Sequence, residues 1–418
     1  MLIHWIWLAT RPEVGDHTKA ALLGHFHDPE AIYYAERKDF ACAQTEISEK
    51  ALESLGDKDL TQARRIWAAC EAEGIRLLTF QDAAYPARLR SIDDPPVLLY
   101  YKGTLPDFDA RPLISVVGTR RATAYGLGVA KRMGYQIAAC GGIVVSGLAF
   151  GIDGLAMRGA LSAGMPVVGV MGCGADIVYP AANESLYADT CRQGCLLTEF
   201  PPGTPPMKWN FPKRNRIISG LSCGVLVVEA PARSGALITA HQAADQGRDV
   251  FVVPGNIDVE SCAGSNALLR DGAIAVSSGW DILAEYQNLF PGKLRREEGG
   301  RRMRLYPDEL AMNAEPQETK KSRVAQETKG PGKRKAPAAK KIDVDNPAQP
   351  PYSEKAKADS DLSDQERTIV ETLGGEISLV DDLIARCGMP AGQVLAALTL
   401  LEVKGLVERM PGRKVRVR

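Results

Sequence analysis

Between residues 112 and 254, short apolar runs alternate with longer amphipathic stretches. A short uninterrupted apolar run is typical of a strand that is buried on both faces of a parallel sheet. The predicted strands are residues 114–117, 143–146, 167–171, 195–198, 225–229 and 250–253, and the predicted helices include 123–139, 152–163 and 236–246. This alternation predicts an α/β fold with an extended, Rossmann-like parallel sheet as its core.

The segments on either side of this core have other patterns. Residues 1–80 show helical spacing of apolar positions and predict a helical packing domain, with a helix-hairpin-helix at Val14 and Gly15 as the alternative. Between residues 293 and 341 the chain carries fifteen Lys or Arg against seven Asp or Glu, without apolar periodicity, which predicts a disordered basic linker. From residue 361, three helix signals and an alternating tail predict a C-terminal winged helix.

Composition narrows the class of protein without identifying a partner. The 51 basic and 51 acidic side chains balance, so any attraction to a polyanion must come from local clusters. Nine cysteines, mostly in apolar settings, favour a reducing cytosol, and neither they nor the five histidines have the spacing of a metal site. The apolar first eight residues lack the basic flank of a secretion signal. We expect a cytoplasmic protein without a metal, a cofactor or a membrane segment.

The predicted strand 114–117 runs into Gly118, Thr119, Arg120 and Arg121, and a helix follows. Ligands of α/β sheets bind at the carboxyl ends of the strands, where glycine admits a close backbone approach and helix N-termini present amides to anions. A hydroxyl and a guanidinium group add further donors. The loop is therefore predicted to bind phosphate, and a tight turn that merely requires glycine is the alternative.

Other turns of small residues follow neighbouring strands and should meet at the same edge of the sheet. They supply Gly147, Gly174, Ser234, Gly235 and, one helical turn further on, Thr239. Convergence of several such turns favours a single anion site over unrelated turns. Asp153, beside the first of these turns, is expected to cap helix 152–163.

Residues 208–216 combine four cations with two aromatic residues. Such a mixture suits single-stranded nucleic acid, because cations follow the phosphates while aromatic rings stack on unpaired bases. The alternative is a solvated basic helix start whose aromatic rings lie in the core. The cations are Lys208, Lys213, Arg214 and Arg216, and Phe211 and Asn215 lie among them.

These segments together resemble the DNA processing protein A (DprA/Smf) family over about residues 80–280. The matching motifs are Tyr85-Pro86, Val117-Gly118-Thr119-Arg120, Tyr179-Pro180, Val253-Pro254-Gly255 and the stretches 146–153, 211–222 and 234–240. Two positions depart from the family pattern. Thr119 stands where serine is usual, which retains the hydroxyl, and Met157 stands where a histidine commonly follows the Gly-Ile-Asp turn.

The resemblance implies a dimeric, non-catalytic protein that binds single-stranded DNA. Such a protein protects incoming or damaged DNA and helps to load RecA during natural transformation and recombination. The implied DNA-binding residues are Gly118, Thr119, Arg120, Arg121, Gly147, Gly174, Lys208, Phe211, Lys213, Arg214, Asn215, Arg216, Ser234, Gly235 and Thr239. The implied domains are a helical domain at 1–80, similar to a sterile-alpha-motif or helix-hairpin-helix domain, the core at 81–290, the linker at 291–360 and the winged helix at 361–418.

The sequence also offers two alternative functions, a nucleotide hydrolase and a transcription regulator. The core is similar to that of nucleotide hydrolases of the lysine-decarboxylase-like group, but the region after Ser234 offers no glutamate where those enzymes carry one. A transcription regulator would use the winged helix, but residues 391–404 contain no arginine to contact base edges. We therefore expect the winged helix to contact a DNA backbone or a protein.

Overall fold

The computed structural model describes residues 2–42 and 45–297 and, towards the C-terminus, residues 364–374, 378–389, 393–394, 397–398, 401, 406–410 and 414–417. The predicted linker lies outside the described residues from 298 onwards. The chain divides into two units, one before and one after residue 322, and each is described separately. Among the described residues, no helix combines the length and the hydropathy that a bilayer crossing requires.

A nine-stranded sheet organises the first unit. Its strands are β1 (Arg76–Thr79), β2 (Leu98–Gly103), β3 (Leu113–Val117), β4 (Ile143–Ser146), β5 (Val167–Val170), β6 (Cys195–Thr198), β7 (Gly224–Val227), β8 (Asp249–Val252) and β9 (Ile274–Ala275). Their order is β1-β2-β6-β5-β4-β3-β7-β8-β9. The pairings from β6 to β9 are parallel, whereas β1 and β2 add an antiparallel edge. The predicted Rossmann-like sheet is confirmed, with six core strands within two residues of the predicted positions.

Helices cover both faces of this sheet and build the N-terminal part. They are α1 (Leu2–Ala9), α2 (Asp16–Phe26), α3 (Pro29–Tyr34), α4 (Glu49–Gly56), α5 (Thr61–Glu73), α6 (Ala87–Arg90), α7 (Ala124–Ala139), α8 (Ile152–Ser162), α9 (Glu184–Gln193), α10 (Asn210–Leu221), α11 (Gly235–Asp245), α12 (Ala263–Arg270) and α13 (Gly279–Ala284). Strand β3 shows why its sequence is apolar except for the buried Ser115, whose hydroxyl donates to the carbonyl of Ile218. Ile114 and Val116 pack on the cluster that contains α7 and α8, and Leu113 and Val117 pack on the cluster that contains α10. Burial on both faces removes the polar alternation of a half-exposed strand.

The second unit contains α14 (Asp364–Leu373), β10 (Ser378–Leu379), α15 (Val380–Cys387), β11 (Val407–Met410) and β12 (Lys414–Val417). The predicted C-terminal hairpin is confirmed, since β11 and β12 pair antiparallel and β10 joins them at the side of β12. The described residues between 393 and 401 are helical. Leu383, Leu398 and Val415 lie in one small apolar core that connects helices and hairpin. This arrangement is the predicted winged helix.

Candidate nucleic-acid interface

A cavity of about 310 Å³ opens where the strand order of the sheet reverses. After β3 the chain continues to β4 on one side, and it later returns to β7 on the other side of β3. Ligands of open α/β sheets bind at such a switch point, in the crevice outside the carboxyl ends of the strands. The cavity is walled by the loop after β3, the first turns of α8 and α10, and the loop between β7 and α11.

Most of the predicted site residues meet at this cavity. Ten of the fifteen line it, namely Gly118, Thr119, Arg120, Arg121, Phe211, Arg214, Asn215, Ser234, Gly235 and Thr239. Gly147 lines a smaller recess next to it. Gly174, Lys208, Lys213 and Arg216 are not among the lining residues of either space.

The cavity wall is strongly cationic. Four arginines and one acid, Asp153, supply its charged side chains. Arg214 is the most buried of the cations, and its Nη1 donates to the carbonyl of Val170 at 2.6 Å. Burial lowers the pKa of the Arg214 guanidinium to about 10, so the group still carries its charge at neutral pH. The site therefore holds a fixed positive charge at its inner end, which suits a phosphate.

Asp153 has a different role from the expected helix cap. The N-cap of α8 is Gly151, which has no side-chain cap, and Asp153 instead accepts a hydrogen bond from the amide of Gly147 at 3.2 Å. Burial raises the pKa of Asp153, while the guanidinium groups of Arg214 and Arg120 act in the opposite direction. The prediction of a cap is wrong, because the carboxylate lies inside the turn after β4 and acts there as a counter-ion.

The loop after β3 is held by hydrogen bonds to the end of β7. The amide of Thr119 donates to the carbonyl of Glu229 at 2.7 Å, and the Glu229 carboxylate accepts from the amide and the hydroxyl of Thr123. The amide of Arg121 donates to the hydroxyl of Thr119. The Thr119 amide therefore already has a hydrogen-bond acceptor within the protein. The Thr119 hydroxyl accepts one hydrogen bond and can still donate its proton to a ligand.

Gly118 is required by close packing. A Cβ at this position would lie 2.8 Å from the carbonyl oxygen of Glu229 and 2.8 Å from Cβ of Ile152. Either contact is too short for a side chain, so glycine lets the first turn of α8 approach β3. The structure thus gives Gly118 a packing role at the wall of the cavity, beside any role in contacting a ligand.

Three helices begin at the cavity, and their N-termini favour an anion. Residues from the first turns of α8, α10 and α11 are all part of the lining. Ser234 caps α11 by accepting from the amide of Ala236, Gly235 starts the helix, and Thr239 lies buried one turn further on. The helix dipole gives each N-terminus a partial positive charge.

Helix α10 has two functional faces, and only one faces the cavity. On the other face, Lys213 and Arg216 contact a group of carboxylates from Asp16, Asp94 and Glu199, which we call the acid cluster. Nη2 of Arg216 lies 2.6 Å from Oε2 of Glu199 and 2.8 Å from Oδ2 of Asp16, and Nζ of Lys213 lies 3.2 Å from each of these oxygens. These two cations thus join α10 to α2 and to the end of β6.

Two residues of the block 208–216 and the predicted site residue Gly174 also lie apart from the cavity. Lys208 and Trp209 are exposed at the segment that precedes α10, and the Trp209 side chain is 68% exposed. Gly174 belongs to the loop after β5, where its amide donates to the carbonyl of Thr204 at 2.9 Å. The turns after β3 and β4 therefore converge as predicted, and the Gly174 turn is diverted towards residues 201–204.

Two residues at the site were not singled out as candidates. Arg233 lines the cavity and comes directly before Ser234, so a cation next to a predicted helix start was the available signal. Tyr179 lines the adjoining recess with Phe211. It lies in a loop far from Phe211 in sequence, and the Tyr179-Pro180 motif was its only signal.

Known proteins match this chain in sequence and in fold. The profile of the DNA recombination-mediator protein A family matches residues 76–287, and the profile of the DprA winged helix domain matches residues 353–413. The chain is 40% identical to DNA processing protein DprA of Bacillus subtilis over 240 residues, covering 57% of this chain and 81% of the relative. It is 33% identical to Protein Smf of Synechocystis over 342 residues, covering 81% of this chain and 79% of the relative.

A solved structure supports the same relationship. The X-ray structure of DNA processing protein A from Streptococcus pneumoniae superposes with a TM-score of 0.60 at 33% identity, and it covers 68% of this chain and 98% of its own. The family profiles, the relatives and the solved fold agree with the mostly parallel α/β sheet and with the winged helix. The chain belongs to the DNA recombination-mediator protein A (DprA/Smf) family, whose members act in DNA processing and recombination.

Proposed function

We propose that this chain binds single-stranded DNA through the cavity at the switch point, without catalysing a reaction on it. The observation that carries the proposal is that the cavity is lined by four arginines, one carboxylate and the N-termini of three helices. Phosphate is the anion that such a set of donors fits best. A flexible single strand can insert a nucleotide into the cavity, whereas the base pairs of a duplex must first be opened and unstacked.

The state of Asp153 supports a binding role over a hydrolytic one. Its carboxylate accepts from the amides of Gly147 and Ala149 and lies near two guanidinium groups, which suits a structural counter-ion. The family resemblance favours a cytoplasmic mediator that acts as a homodimer, protects single strands and helps to load RecA.

The proposal is tested by fluorescence anisotropy with a labelled oligothymidine and with a duplex of equal length across a salt series. We expect tighter binding to the single strand and a steep dependence on salt, because neutralised phosphates release counter-ions. A chain that ends at Glu297 retains all residues of the cavity and should show the same preference. Equal or tighter binding of the duplex would reject the proposal. Loss of binding in the shortened chain would show that the main DNA-binding site lies in the residues after Glu297.

Arg120→Ala should weaken binding to all single-stranded sequences and reduce the salt slope by about one unit, because one phosphate contact is lost. Arg132→Ala on α7 is a suitable control, since Arg132 is not among the residues that line the cavity. The measurement is the slope of log affinity against log salt for both variants. An unchanged slope for Arg120→Ala would remove this residue from the phosphate contacts.

A further inference from the structure

A small aromatic recess adjoins the cationic cavity. It is lined by Arg120, Gly147, Ala149, Phe150, Tyr179, Pro180, Phe211 and Arg214. Arg120, Ala149, Phe211 and Arg214 also line the cavity, so the two spaces share a wall. A nucleotide whose phosphate lies in the cavity would place its neighbour close to this recess. The recess is therefore placed where the part of a strand beyond the bound phosphate would lie.

Two of the three aromatic rings that line this recess, Tyr179 and Phe211, are neighbours, and they differ in exposure. The ring centroids of Tyr179 and Phe211 lie 5.6 Å apart, with the planes tilted by 37°. The guanidinium carbons of Arg120 and Arg214 lie 5.6 Å and 5.9 Å from the Phe211 centroid, and the backbone at Gly172 also packs against this ring. Phe211 is thus largely surrounded, whereas Tyr179 is 40% exposed. Tyr179 presents the more accessible ring.

The loop that carries Tyr179 is anchored to the turn after β4. Asn183 follows Tyr179 by four residues and is buried, and its Nδ2 donates to the carbonyls of Leu148 and Ala149 at 2.9 and 3.3 Å. Ala149 itself lines both spaces. The ring is therefore held beside the cavity before any ligand binds. A preorganised ring loses little conformational entropy when a base stacks on it.

We propose that Tyr179 stacks on an unpaired base of the nucleotide next to the one whose phosphate occupies the cavity. This proposal rests on the proposed function, and it adds a base subsite to a phosphate site. Stacking on an aromatic ring tolerates every base, because all bases have a π-face. In a duplex these faces are covered by neighbouring base pairs. The Tyr179 subsite thus adds preference for single strands without sequence specificity.

The test compares Tyr179→Ala, Tyr179→Phe and the control Tyr34→Ala in the full-length protein. Tyr34 lies on α3, is 71% exposed and is not among the residues that line the recess or the cavity, so its loss removes a similar surface ring outside the site. We expect Tyr179→Ala to weaken oligothymidine binding about fivefold to tenfold. Tyr179→Phe should retain wild-type affinity, and the salt slope should be the same in all variants, because no charge changes.

An oligonucleotide with abasic sites separates stacking from a structural effect. Tyr179→Ala should bind this probe as tightly as the wild type does, because neither complex has a base to stack. Equal losses on the abasic and the thymidine probes would overturn the proposal in favour of a structural role, and unchanged affinity for both would overturn it outright. Failure of the wild type to prefer single strands over duplex would instead reject the proposed function.

Discussion

Replacing Arg216 with alanine should lower the free energy of unfolding by about 3–5 kcal/mol, the cost of breaking a buried ion pair by removing one partner. The Arg216 side chain is 5% exposed and contacts Asp16 and Glu199, whose side chains are 13% and 6% exposed. Burial raises the pKa of Glu199, and the neighbouring cations Arg216 and Lys213 counteract that effect. Without Arg216, the Asp16 and Glu199 carboxylates remain in a poorly solvated place, and only Lys213 and Lys19, which lies 3.3 Å from Asp16, are left as neighbouring cations.

Lys213→Ala is the matched control for this prediction. Lys213 lies on the same helix and contacts the same two carboxylates, but its side chain is 49% exposed. An ion pair at that exposure contributes about 1 kcal/mol or less. Guanidinium denaturation of both variants, followed by tryptophan fluorescence, measures the two losses. A small loss for both would mean that the acid cluster is well solvated and does not hold α2 against the sheet.

The same pair shows what sequence alone could establish about this region. Residues 208–216 formed one basic block in the sequence, and the prediction assigned all of its cations to DNA. A helix that begins at Asn210 divides them by its 3.6-residue period, with Phe211, Arg214 and Asn215 on the cavity side. The helical spacing of Phe211, Arg214 and Asn215 was visible in the sequence. The partners of Arg216 were not, because Asp16 and Glu199 come from distant parts of the chain.

The strands of the core sheet could be predicted from local sequence, whereas the residues of the site could be predicted only in part. Buried parallel strands must be continuously apolar, so each strand and the loop after it could be placed from local sequence. Strand order comes from long-range pairing, and it decides which loops meet. Gly118 and Ser234 meet because β7 pairs with β3. Gly174 follows a neighbouring strand as well, but its loop bends towards residues 201–204 instead.

Asp153 and Tyr179 are two site residues whose roles could not be predicted from local sequence. An aspartate at a helix start usually caps that helix, and this preference favoured the wrong role for Asp153. One of its partners, the amide of Gly147, is local, but the guanidinium of Arg214 depends on how α10 packs across the sheet. Tyr179 lies beside Phe211 because Asn183 holds its loop against the turn after β4. Tertiary packing, which local preferences do not encode, therefore selects the residues at this edge.

Gly147→Ala should weaken single-strand binding by about 10-fold to 100-fold, the value of a charge-assisted hydrogen bond, because it displaces Arg214. A Cβ at position 147 would lie 2.7 Å from Nη2 of Arg214 and 2.8 Å from its Cζ. The guanidinium must then leave its contact with the carbonyl of Val170, and the cavity loses its most buried cation. The alanine itself changes no charge, so a large loss identifies the position of Arg214 as the cause.

Gly24→Ala is the control, since a Cβ there meets no atom within 4 Å and the residue lies on α2, in the helical part of the chain that precedes the sheet. Both variants are compared by oligothymidine anisotropy across a salt series and by thermal unfolding. If Arg214 contacts phosphate, Gly147→Ala should lower the affinity and also reduce the salt slope, as Arg120→Ala does. A lower affinity with the wild-type slope would mean that Arg214 shapes the cavity but makes no phosphate contact. An unchanged affinity would show that DNA binds without this buried charge, and the site would then depend on Arg120, Arg121 and Arg233.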